Sequence, residues 1–230
     1  MQQLPLGVRW RDHSVFATFV RGPNGLLAGQ LEALSWAAPA LWLWAGASAG
    51  KTHLLQASCA RAGALGLTAA YFPMRERAQF GAGAFSGCER LGLVCIDDAE
   101  QVAGDSVWEH ELFVLYNGVQ DNAGRLVLAG SQAPGAIEWR LPDLRSRLSA
   151  SLVVQLRPLD DEGQIEALRL RARNRGLELP DETAHYLLRR FPRDLASLCA
   201  LLEKLDVAAL AAGRRLTIPF IKQVIDAPAR

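Results

Sequence analysis

Cysteine is scarce in this 230-residue chain. The four, Cys59, Cys88, Cys95 and Cys199, are scattered, and all but Cys88 fall in apolar segments that read as strand or helix, where a thiol behaves as a small hydrophobe. That usage fits reduced thiols and a cytoplasmic setting. His13, His53, His110 and His185 are equally isolated, so metal-ligand spacing is absent. Long apolar runs are missing too. None approaches the ~18 to 20 residues that cross a bilayer, and the start MQQLPLGVRWRDH lacks both parts of an export signal, so no membrane association is expected. An excess of charge of either sign is lacking as well: 25 Lys and Arg face 24 Asp and Glu, which argues against an extended footprint for nucleic acid and against sequence-specific DNA binding. RLRARNR, residues 169 to 175, is the one basic cluster. Alternate helix positions point about 160 to 200° apart, so Arg169, Arg171, Arg173 and Arg175 make no single stripe and read as a solvated helix surface.

What the chain does have is apolar residues, 50% of the total, enough to bury a real core. Runs at 40–45, 68–72, 91–96, 125–130 and 151–156 alternate with segments long enough for helices, which is the pattern of an α/β fold with a five-stranded parallel sheet covered on both faces. HLLQASCARAGALG reads as a helix closed by Gly66, and SVWEHELFVLYNGVQ as one capped by Asp105. After residue 157 helical periodicity takes over, ending in a Thr217 to Ile225 element with Pro219 in its first turn. The expectation is an α/β domain over residues 9–157 and a small four-helix domain over 158–230.

LWLWAGASAGKTHLL raises the first chemical reading. Gly50, Lys51 and Thr52 fit the second half of a P-loop, while Ala45 stands where its first glycine belongs. Such a loop presents backbone N–H groups to phosphate oxygens; Gly46 and Gly50 permit close approach, Lys51 reaches the terminal phosphates and Thr52 ligates Mg²⁺. Ala45 is tolerable at a negative φ. An ordinary strand-to-helix turn also fits these residues, but the apolar strand before and the apolar helix after favour the loop. LVCIDDAE then places Asp97 and Asp98 at the C-terminal end of a buried strand, the edge where ligands gather in an open parallel sheet. Asp97 would hold Mg²⁺ through water and Asp98 would orient or deprotonate an attacking water, with a helix N-cap as the bland alternative. Ser131 and Gln132 leave the next strand beside the expected γ-phosphate position. Arg145 and Arg147 in LPDLRSRLSAS are either surface residues or a source of an arginine finger, which changes phosphoryl-transfer rates by roughly 10³ to 10⁵. Arg193 opposes the dipole of the helix it begins, and either serves a site or pairs with Asp194 or Glu182.

These segments, with FATFVRGPNGLLA, LAGSQAPGAI, LRLRARNRGLELP and RRLTIPFIKQVI, resemble AAA+ modules of the DnaA branch, and within it the Hda-like regulatory proteins, over nearly the whole chain. The resemblance implies an AAA+ P-loop NTPase core followed by an α-helical lid. It implies that Phe16, Phe19, Val20 and Asn24 border the base of ADP or ATP, and that Gly46, Ala47, Ser48, Ala49, Gly50, Lys51, Thr52 and His53 cradle the phosphates. Thr52 and Asp97 would serve Mg²⁺, with Asp97 and Asp98 as the Walker B pair, Gln132 at sensor 1, Arg147 as a finger acting in trans and Arg193 as the sensor-2 arginine. Gln132 replaces the acid usual at its position, and Ala45 and Ser48 depart from the glycine-rich loop.

The start MQQLPL resembles the short motif that docks replication proteins on the β sliding clamp of DNA polymerase III. Gln2 and Gln3 would meet a polar subsite and Leu4 and Leu6 an apolar cleft, with Pro5 stiffening a flexible peptide over residues 1–8; a disordered start is the bland reading. DnaA-like initiators continue into a helix-turn-helix domain, whereas this sequence ends at Arg230, so initiator function is not expected. The implied role is regulation of replication initiation: clamp-tethered and nucleotide-bound, the chain would stimulate ATP hydrolysis by DnaA and have at most weak turnover of its own. The implied location is the bacterial cytoplasm, at the nucleoid through the clamp, and a homodimer is allowed. A stand-alone P-loop ATPase or nucleoside kinase, and a helicase-loader-like DNA-targeting adaptor, are the competing readings.

Overall fold

A computed structural model describes residues 14–81, 83–191, 195–212 and 214–226. The described chain forms two compact units. The first takes in residues 14–17, Asn24–Gly46 and Gly50–Arg157; the second holds Thr18–Pro23, Ala47–Ala49 and the residues from Pro158 onward.

The first unit is built on a parallel sheet of β1 (Ala40–Trp44), β2 (Ala69–Pro73), β3 (Leu93–Asp97), β4 (Arg125–Gly130) and β5 (Leu152–Gln155), in the order β2-β3-β4-β1-β5. The apolar runs β1 to β4 are buried along nearly their whole length, as expected for strands covered on both sides, whereas the edge strand β5 exposes Val153. Around the sheet lie α1 (Gly25–Glu32), α2 (Lys51–Ala64), α3 (Ser106–Asp121) and α4 (Pro142–Ser149). Trp42, Phe72, Ile96 and Leu128 project from one face into a core shared with Leu112 and Leu115 of α3 and Leu144 and Leu148 of α4. Trp42 meets Trp139 edge to face at 6.2 Å.

Strand order decides where chemistry can occur. The chain leaves β1 toward β2 and returns past β1 to β5, so the sheet reverses direction beside β1, and the crevice beyond its C-terminal end is the natural ligand position. Register brings Trp44 opposite Gly130, Ile96 opposite Leu128, and Pro73 opposite Asp97. The loop after β1 and the ends of β3 and β4 therefore share one edge.

Local signals in the sequence explain the helix bounds. Asp105 caps α3 by accepting from Val107 N at 3.1 Å and Trp108 N at 3.3 Å. Gly66 follows α2 at φ +76°, and Gly176 in the second unit closes a helix at φ +71°, left-handed positions that suit glycine. Glu109, fully buried in the first turn of α3, accepts from Gly104 N, Arg140 N and Leu141 N, tying α3 to the approach of α4.

The second unit contains α5 (Asp161–Asn174), α6 (Asp181–Arg190), α7 (Leu195–Ala212) and α8 (Ile218–Asp226), packed around Leu168, Leu187, Leu202, Leu205 and Ile221. Here the expectation of a solvated arginine surface needs correction. Arg175 pairs with Glu203 at 2.9 Å and Asp206 at 3.2 Å, and Arg169 pairs with Asp181 at 2.5 Å. Alternation sends these two arginines to different neighbours, so they join helices within the unit. Cys59, Cys95 and Cys199 are buried free thiols, and no helix among the described residues is long and apolar enough to cross a membrane.

Two substitutions separate the supports of α3 by urea denaturation. Asp105→Ala should lower the unfolding free energy by about 1 kcal/mol, the usual worth of an N-cap. Glu109→Ala should cost about 3 kcal/mol, since a charged acceptor of several N–H groups is lost from the interior.

Candidate functional site

The loop following β1 has the backbone its proposed use requires. Ala45 is buried, donates its N–H to the Gly130 carbonyl at 3.3 Å, and is not among the residues with positive φ. Alanine therefore fits where a P-loop normally begins with glycine. Gly50 adopts φ +95° at the start of α2, a conformation that explains the glycine, while Gly46 faces open space. Ser48 has φ +61°, an uncommon conformation for a residue with a Cβ. Ala47 is exposed and Ala49 half-buried. The Lys51 ammonium donates to the carbonyls of Ala45 at 2.7 Å and Gly46 at 2.9 Å, which keeps it at the mouth of the loop.

Directly behind it, Thr52 Oγ1 donates to Asp97 Oδ2 at 2.6 Å. The same oxygen accepts the Tyr71 hydroxyl at 2.8 Å, and Oδ1 accepts Asp98 N at 3.1 Å. Burial pushes the Asp97 carboxyl above its ordinary range, and the hydrogen bonds from Thr52 and Tyr71 pull in the opposite direction. Burial, followed by the adjacent Asp97 charge, raises the Tyr71 phenol well above its usual value. Tyr71 is thus a fixed hydroxyl donor.

Thr52 and Asp97 are hard oxygen donors a hydrogen bond apart, the type of pair that holds Mg²⁺ together with nucleotide phosphates. Among the described residues no group of three or more His, Cys, Asp or Glu is arranged for a metal. The residues present therefore fit Mg²⁺.

Asp98 is differently placed. It sits at φ +51° and ψ +45°, and its carboxylate pairs with Arg75 at 2.6 Å, a partner that motif reasoning did not supply. Gln132 lies exposed at the end of β4, where its carbonyl accepts Trp42 Nε1 at 2.9 Å. Neighbouring Ser131 is anchored through its N–H to Glu100 Oε1 at 3.1 Å.

The remaining candidates make other contacts. Phe16 is buried in a short 3₁₀ turn, and Asn24, also buried, uses its side chain as a brace: Nδ2 donates to Arg157 O and Oδ1 accepts Arg157 N, both at 2.9 Å. Phe19 and Val20 lie in the second unit, half-buried and buried. His53 Nε2 is 2.9 Å from the Val15 carbonyl, so that ring binds the start of the described chain to α2. Arg147, near the end of α4, donates through Nε to Asn117 Oδ1 at 2.6 Å and lies 4.8 Å from the Phe113 ring centroid. Arg145 is exposed and reaches the Gly135 carbonyl at 3.3 Å. Gln2, Gln3, Leu4, Pro5, Leu6 and Arg193 lie outside the described residues.

Known proteins share this fold. Residues 161–225 match the family model described as Hda, lid domain. Domain III of Thermotoga maritima DnaA superposes with a TM-score of 0.80 at 22% identity, over 94% of this chain and 96% of that one. The chain has the fold of DnaA domain III, and its residues 161–225 are similar to the Hda lid. AMPPCP-bound DnaA from Aquifex aeolicus matches at a TM-score of 0.66 and 21% identity, over 86% and 68% of the two chains. A more distant AAA+ neighbour is a Thermotoga maritima RuvB variant, at 0.64 and 14%, over 90% and 67%. The expected AAA+ architecture, a five-stranded parallel sheet and a helical lid, is the observed one.

The Arg75 ion pair lends itself to a simple measurement. Because the Arg75 side chain is 71% exposed, Arg75→Ala should change stability by less than about 1 kcal/mol in chemical denaturation.

Proposed function

We propose that this chain is a nucleotide-bound regulator of replication initiation whose Arg147 acts on the ATP site of DnaA. The observation that carries the reading is the state of Arg147. Its guanidinium contacts Asn117 and Phe113, both uncharged, and so stays half-exposed with its positive charge uncompensated by an acid among the described residues. Asn117 and Phe113 preset its direction, which reduces the entropy lost on engaging a phosphate. The Hda-type lid and the DnaA-like fold support DnaA as the partner.

The steps follow from electrostatics. ADP or ATP would lie on the loop Gly46 to Gly50, with Lys51 near the terminal phosphates and Thr52 and Asp97 toward Mg²⁺, and would order the surface that meets DnaA. Mg²⁺ would neutralise phosphate charge there. Phe16, Phe19, Val20 and Asn24 would shape the base side, and Arg193 would reach the phosphates. Docked on ATP-bound DnaA, the chain would present Arg147 to the charge that grows on the γ-phosphoryl oxygens. Gln2 to Leu6 would tether the protein to the β sliding clamp on DNA, raising the effective concentration near DnaA.

The decisive measurement is ATP hydrolysis by DnaA in the presence of clamp loaded on DNA. Native protein should stimulate it, and Arg147→Ala should lose that stimulation by about 10³-fold or more. Equal stimulation by both would remove the finger. Deleting residues 2 to 6 should abolish retention on the clamp while ADP affinity is kept, and Lys51→Ala should do the reverse.

A further inference from the structure

Tyr71 belongs to none of the motifs that pointed to a nucleotide, yet it stands at the centre of the cluster. It lies on the edge strand β2, is 5% exposed, and a buried phenol hydroxyl must find partners. Its hydroxyl donates to Asp97 Oδ2 at 2.8 Å, and Gln56 lies beside it.

Gln56 is one turn beyond Thr52 on α2, so both point to the same side of that helix. It is itself 7% exposed and packs beside the phenol. The phenol proton goes to Asp97 Oδ2. The carboxylate is consequently held on three sides: Thr52 and Tyr71 on Oδ2 and the Asp98 N–H on Oδ1.

Resting on the reading of this loop as a nucleotide and Mg²⁺ site, we propose that Tyr71 is a positioning residue for Asp97. It fixes the carboxylate rotamer that would face Mg²⁺. Thr52 and Tyr71 hold the same oxygen from two different elements, α2 and β2. Tyr71 contributes the restraint that does not change when the site is filled. Outer groups of this kind typically alter metal affinity 10- to 100-fold.

Tyr71→Phe deletes the hydroxyl and keeps the ring in its packing. The probe is ADP, its affinity measured by calorimetry in excess Mg²⁺ and again in EDTA, with a Mg²⁺ titration at fixed ADP. The expected result is an affinity for ADP in EDTA within twofold of native and a Mg²⁺ requirement raised about tenfold or more. A thermal midpoint in EDTA close to native would accompany it. An unchanged Mg²⁺ requirement overturns the proposal and leaves the nucleotide reading intact. Equal loss in Mg²⁺ and EDTA also overturns it, since that is the mark of general disruption. Failure of the native protein to bind ADP in either buffer overturns the nucleotide reading itself, and the Tyr71 proposal with it.

Discussion

The first unit depends on keeping one carboxylate, Asp97, in a place where water would normally be needed to support it. Burial raises its pKa, and the hydroxyls of Thr52 and Tyr71 with the N–H of Asp98 supply the compensating hydrogen bonds. Each donor comes from a different place, α2, β2 and the turn after β3. A single charge thus sets the relation of three elements. Strand order makes this necessary, because the reversal beside β1 brings the loop, the acid and the end of β4 to one edge.

A similar economy governs the other end of the unit. Glu109 is fully buried and accepts from three backbone N–H groups, so α3 and the segment entering α4 form one mechanical piece. Arg147 is then carried on a helix whose start is tied down, and the Tyr116 hydroxyl donates to its carbonyl at 3.2 Å. The guanidinium keeps its exposure because Asn117 and Phe113 contact it from the side. Placing a charge accurately at a surface requires this kind of buried scaffolding.

Much of the fold was legible because its signals are local. Alternating apolar runs gave the strands, Asp105 and Gly66 gave helix limits, and GKT after an apolar strand gave the loop. Asp97 was legible from its place at the end of a buried run. Tyr71, Gln56, Arg75 and Glu109 were not. Tyr71 and Arg75 are ordinary members of a segment that reads as strand and turn, and only the parallel pairing of β2 with β3 brings them to Asp97 and Asp98. Glu109 looks like any acid in the first turn of a helix, where a favourable dipole already accounts for it. The arginines of RLRARNR were read from angular spacing alone; what spacing omits is that a long side chain can leave its own helix and reach an acid on the next.

The backbone at Asp98 has one further implication for sequence drift. Left-handed geometry at φ +51° suits Asp, Asn and Gly, whose short or absent side chains tolerate it, but burdens longer or branched residues by about 1 kcal/mol or more. A chain evolving from this one could exchange its acid for an amide or lose the side chain altogether at little conformational expense. Lengthening it to Glu would instead demand that the whole turn be rebuilt, so the fold itself biases this position toward weakening rather than strengthening any chemistry performed there.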